Sequence, residues 1–190
     1  MNIKEVKTTF KVADVLLDKE HGIRHIKLVF LNEIYDEHNK KLDNTILKDN
    51  AGRIYLIVVD EVIMKIGGSQ SKGGIRSTLS FYQGVMQGGP SIRTYGIHIL
   101  LKEELEKGKK VEIYMITSQK TKMKVKGLFN EEEAEVSAFK DMEDKCKSDY
   151  VKREKTYPPW NFQEKGEPWR EDITRGLNIH GSKRKILNKK

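Results

Sequence analysis

With 190 residues the chain can bury a core as one domain carrying arms. Its 36 Lys and Arg against 28 Asp and Glu leave a formal charge of +8, which favours a polyanion as partner. A single cysteine, Cys146, excludes an internal disulfide and a cysteine zinc cluster, and no run of ~18–20 apolar residues is there to span a membrane.

Residues 1–50 read as an N-terminal extension, a recognition or dimerisation arm, whose polar start is no secretory signal. Within it, TTFKVADVLLDKE spaces Phe10, Val12, Val15 and Leu16 as a helix would, with Thr8 or Thr9 as cap. IRHIKLVFLNEIY alternates as a strand, and DEHNKKLDN is a polar loop. RIYLIVVDEVIMKI, residues 53–66, predicts a β-hairpin turning at Asp60-Glu61. A glycine-rich basic loop follows, KIGGSQSKGG, which lacks the Gly-Lys-Ser/Thr ending of a nucleotide-binding P-loop. A helix is expected from about Ser77, a second helix over roughly 91–107 with a stop at Gly108, and a strand over 110–117.

From Val62 to Lys126 the chain holds twelve Lys and Arg against four Glu. From Asn130, as N-cap, a long helix is predicted, with glutamates in its first turn. Val136, Phe139, Met142, Cys146 and Tyr150 form its apolar stripe, and TYPPWN ends it because proline cannot continue a helix. Residues 164–190 form a basic C-terminal arm, extended or disordered.

The candidate chemistry gathers around the first hairpin. Tyr55 and Lys65 lie on its two strands, where cross-strand pairing can bring them together, and Arg76 lies on the helix that the glycine loop feeds. A phenol, an ammonium and a guanidinium suit a phosphodiester, although each is also ordinary at its position. Glu143 falls inside the apolar stripe of the long helix, where a carboxylate needs a cation or a metal; Glu135 is an alternative to it. The five histidines form no metal-binding pair, and Trp160 and Trp169 suit either base stacking or anchoring.

These residues, in this order, resemble the GIY-YIG nuclease superfamily over residues 52–163. RIY (Arg53 to Tyr55) matches the first motif with arginine for glycine, and KIG (Lys65 to Gly67) matches the second with lysine for tyrosine. Arg76, Glu143 and PPWN (Pro158 to Asn161) match the helix arginine, the metal glutamate and the terminal motif. The pattern is similar to restriction endonucleases with lysine in the second motif and to phage endonuclease II enzymes.

The resemblance implies an α+β fold, a small central three-stranded antiparallel sheet flanked by helices, with residues 51–163 as the nuclease core. It implies an endodeoxyribonuclease of the cytoplasm, in a prokaryotic or infected host cell, that leaves 5′-phosphate and 3′-hydroxyl ends. Tyr55 is then the general base or a relay to one, Lys65 lowers its pKa, Arg76 meets transition-state charge, and Glu143 holds Mg²⁺ or Mn²⁺. Lys72, Arg93 and Asn161 become the DNA-binding residues, double-stranded DNA the partner, and a homodimer is left open. The competing expectation is a non-catalytic basic module that binds DNA or RNA.

Overall fold

The computed structural model describes residues 1–20, 25–118 and 120–187. Its centre is the predicted hairpin, β5 (Arg53–Val59) and β6 (Val62–Ser69), joined by a two-residue turn. Asp60 and Glu61 both take positive φ, 45° and 68°, the backbone handedness that lets a two-residue loop match strand twist. Strand β7 (Val111–Thr117) pairs antiparallel with β5 on its other side.

The sheet does not stop at these three strands. Phe10–Leu17 is a strand, β1, and it pairs with β7; Ile26–Phe30, β2, pairs with β1. The order is β2-β1-β7-β5-β6, every neighbour antiparallel, so the sheet has five strands where three were expected. The helix expected over TTFKVADVLLDKE fails for a specific reason. A register shift between Lys11 and Ala13 inserts Val12 as an extra residue, so Phe10, Val12, Ala13 and Val15 are all buried. The bulge breaks the period of two and imitates helical spacing in the sequence. A short ladder, β3 (Ile34–Tyr35) with β4 (Lys41–Leu42), follows β2.

One face of the sheet is covered by α1 (Gly74–Gln83) and α2 (Ile92–Glu106), through Ile75, Leu79, Tyr82, Tyr95, Ile97 and Leu101. The side chain of Ser91 caps α2 by accepting the Thr94 N–H, and Gly108 at φ 77° lies just beyond its end. The other face packs on α3 (Phe139–Glu154), through Met142, Cys146 and Tyr150, and on Ile3 of the N-terminal segment.

Two further expectations are corrected. Residues 131–137 are not the first turns of a helix but a strand, β9 (Glu131–Ser137), paired with β8 (Lys120–Lys126). Lys122, Lys124 and Lys126 stand opposite Glu135, Glu133 and Glu131, so cross-strand charge pairing outweighs the glutamates' preference for a helix start. The C-terminal arm holds a short helix, α4 (Phe162–Lys165), and a longer one, α5 (Glu171–Leu187). The start of α5 is fixed to α2 by a two-point ion pair of Arg170 with Glu103, and Ile173 is buried. Close approach is permitted by glycine: a Cβ on Gly96 would lie 2.2 Å from the Trp169 ring. Trp169 thus anchors the arm. Among the described residues no helix is long and apolar enough to cross a membrane.

Candidate active site

Strand β6 is the edge of the sheet, and an edge strand leaves backbone groups unpaired. The PPWN segment closes this one. The Ile66 N–H donates to Oδ1 of Asn161 at 2.9 Å, Nδ2 of Asn161 donates to the Ile66 carbonyl at 3.0 Å, and the Trp160 N–H donates to the Met64 carbonyl at 2.8 Å. Asn161 is fully buried, so it acts as a clasp on β6 rather than as an exposed ligand for DNA.

Two consecutive glycines then leave β6 bare on both faces. A Cβ on Gly67 would lie 2.5 Å from the Tyr55 hydroxyl, and a Cβ on Gly68 would lie 2.3 Å from Oε2 of Glu143. The glycines therefore make room for the protein's own Tyr55 on one face and Glu143 on the other. The register places Tyr55 opposite Gly67 and Lys65 opposite Ile57, so Tyr55 and Lys65 share a face as diagonal neighbours, not as a direct pair.

Burial sets the electrostatics. Tyr55 is 7% exposed and Lys65 1%. The Tyr55 hydroxyl lies 2.9 Å from the Tyr82 hydroxyl, and burial, then this neighbour, push the phenol well above its ordinary pKa. Burial, then the nearby positive charge of Arg93, bring Lys65 down to about 8. The resemblance implied a phenol lowered by Lys65; the net direction at Tyr55 is upward, with burial the largest cause. Arg93, at the first turn of α2, acts electrostatically on Tyr55, Lys65 and Tyr82 together.

Around the rim, Nζ of Lys147 sits between two carboxylates, 2.7 Å from Glu143 and 2.6 Å from Glu164 of α4. Burial opposes the charge on Glu164, but the hydrogen bond from Lys147 overrides it and holds the carboxyl at about 2. Among the described residues no group of three or more His, Cys, Asp or Glu could cage a metal. Glu143 and Glu164 around a cation do fit a small divalent ion, which keeps several waters and takes its remaining ligands from substrate oxygens.

The structure brings together Tyr55, Lys65, Glu143 and Arg93. It does not bring Arg76 to them: the guanidinium stacks over Phe30 at 4.6 Å, on the strand at the far edge of the sheet. Lys72 is exposed in the glycine loop, and Glu135 lies on β9. Sequence reasoning missed Tyr82, Lys147 and Glu164. Lys147 could have been found as the residue four beyond Glu143 on one helix face. Arg53 is also more than a variant of a motif glycine. It is buried and donates to the carbonyls of Asp49, Ala51 and Ser71, tying the start of β5 to the glycine loop.

No family model and no curated protein sequence matches this chain. Among solved structures, a mutant form of bacteriophage T4 EndoII aligns over 85% of this chain and 98% of its own, with a TM-score of 0.52 and 20% sequence identity. Restriction endonuclease HPY188I in complex with product DNA aligns over 83% of this chain and 84% of its own, with a TM-score of 0.48 and 17% identity. At such identities the likeness is one of fold. The EndoII fold is nonetheless the one the motifs of this sequence resemble.

Proposed function

We propose that this protein is a metal-dependent DNA endonuclease with its active site at the β6 edge. The observation that carries the reading is the pair of bare glycines. They seat a buried tyrosine and a rim glutamate on opposite faces of one strand, beside a buried lysine, on a fold similar to that of a phage endonuclease.

Hydrolysis forms a bond from a water oxygen to phosphorus and breaks the bond to the 3′ oxygen, leaving 5′-phosphate and 3′-hydroxyl ends. Tyr55, held as a neutral phenol, orients the attacking water. Lys65, whose amine sheds its proton near pH 8, accepts the water's proton. Arg93, half-exposed at the mouth, meets the charge that grows on the phosphate oxygens, while Arg76 and Lys72 face the DNA backbone farther out. Glu143, with Glu164 beside it, would hold one Mg²⁺ or Mn²⁺, which supplies Lewis-acid polarisation of the scissile phosphate when bound. A carboxylate at a basic mouth weakens simple polyanion binding, and this disfavours a module that only binds.

Supercoiled plasmid incubated with the protein and Mg²⁺ tests the reading. Nicked or linear product with 5′-phosphate ends is expected, and none with EDTA. Intact plasmid under gel-shift-saturating protein would contradict it.

A further inference from the structure

The rim of the site holds a cation of its own. Nζ of Lys147 fills the gap between Glu143 and Glu164, 2.7 Å from one carboxylate and 2.6 Å from the other. A small divalent ion held by both carboxylates would stand about 2.1 Å from each oxygen, so it claims the same gap. The lysine side chain is 13% exposed and the glutamates 17% and 18%, so the cluster is largely shielded from water. A second cation flanks it: the guanidinium of Arg93 lies 3.9 Å from Glu164.

Charge decides between sharing the gap and exchanging its occupant. Two carboxylates and one ammonium leave a single negative charge. A divalent ion added to them would turn the cluster positive beside Arg93, whereas a divalent ion in place of the ammonium neutralises it. Repulsion between cations a few ångströms apart in a partly dry site disfavours sharing. Only one of the three side chains is free to leave. Glu143 is seated against Gly68, and Glu164 accepts a hydrogen bond from Asn161, the residue that clasps β6. Lys147 hangs on a flexible four-carbon stem. Beside it opens a cavity of about 420 Å³, lined also by Asp144, Ser148, Val151, Tyr157 and Glu164. Asp144 is exposed one turn before Lys147 on the same helix face, within reach of its ammonium.

We infer that Lys147 is a built-in counter-ion that gates metal loading. It holds the Glu143–Glu164 pair and yields it to a divalent ion only by swinging into the Asp144 cavity. The inference rests on the reading of the β6 edge as a metal-dependent site, and it makes Lys147 a residue that sets metal affinity rather than a ligand. Apparent affinity falls in proportion to the fraction of chains whose gap is open, so a lysine in the gap nine times in ten weakens binding about ten-fold. A tie that served only to join α3 to α4 would leave metal affinity untouched when removed.

Calorimetric titration of the full chain with Mn²⁺, without DNA, tests it. Lys147→Met should bind Mn²⁺ about ten-fold or more tightly than the wild type, and adding Glu164→Gln should cancel the gain. Lys147→Gln should shift the same way, and serves if the methionine variant does not fold. Lys145→Met removes an equal charge from the same helix, where Lys145 pairs with Asp149, and should leave the affinity unchanged. Mn²⁺ should raise the melting temperature of Lys147→Met by more than it raises that of the wild type. Unchanged or weaker affinity in both Lys147 variants, or an equal gain in Lys145→Met, overturns the inference. Plasmid cleavage separates it from the nuclease reading. A wild type that cuts, with Lys147 variants that bind Mn²⁺ no tighter, sinks the inference alone. Tighter Mn²⁺ binding by variants of a wild type that cuts nothing upholds the inference and sinks the nuclease.

Discussion

Two of the chain's β-hairpins, β5–β6 and β8–β9, are of almost equal length and have opposite fates. In β5–β6 an apolar run is buried on both faces, between α1 and α2 on one side and α3 on the other, and Asn161 clasps its outer edge. In β8–β9 lysines face glutamates, and the hairpin stands in water. The difference shows where chemistry can be built. Lys65 keeps a lowered pKa only because its strand is immobilised in a dry environment from every side. On the second hairpin Lys122, Lys124 and Lys126 are exposed to solvent.

Substitutions can break that contrast at the glycines first. Gly68→Ala drives a methyl into the Glu143 carboxylate, and Gly67→Ala drives one into the Tyr55 ring. Each should lower plasmid cleavage at least 100-fold with gel-shift affinity kept within a few-fold, and Gly67→Ala should also lower the melting temperature, because a buried ring yields less than a carboxylate. Wild-type rates from both would refute the seating argument.

Asn161→Ala comes next. It strips the partners from both backbone groups of Ile66, a loss of roughly 2–4 kcal/mol in chemical denaturation. Lys124→Ala on the exposed hairpin should change stability by less than about 0.5 kcal/mol. Equal losses would mean that the two hairpins are not differently held.

A third contrast is in pH. The unfolded chain keeps the Lys65 proton up to about 10.5, whereas the folded chain releases it near 8. Between those values the unfolded state binds more protons, so this group's contribution to stability rises with pH and is level outside the window. Stability of wild type minus Lys65→Met should show that rise. A flat difference would show that Lys65 titrates normally.

Much of the first hairpin was legible in the sequence. The β-branched runs around Asp60-Glu61 and the Gly108 stop each carry their local signal in one short stretch, and the structure follows them. What was illegible depends on distant partners. The bulge at Val12 is a property of the pairing with β7, and the fate of Glu131–Glu135 turns on the lysines of β8. For the site, Glu143 was visible as a carboxylate on an apolar helix stripe, whereas Tyr55 and Lys65 are ordinary strand residues and stood out only by their place in the hairpin and the motifs. Arg93 was not distinguishable from Arg76, because no spacing rule says which helix end turns toward β6.

The claim that the β6 edge is a nuclease site is tested most directly by one comparison: cleavage of supercoiled plasmid in Mg²⁺ by Glu143→Gln and by Glu135→Gln, with binding followed by gel shift in Ca²⁺. Glu143 is seated against Gly68 at the site, and Glu135 lies on the exposed hairpin. Glu143→Gln should bind DNA as well as the wild type or better, having lost a negative charge, and cut at least 100-fold more slowly, while Glu135→Gln cuts normally. Normal cutting by Glu143→Gln, or the loss of cutting in Glu135→Gln alone, would contradict the account.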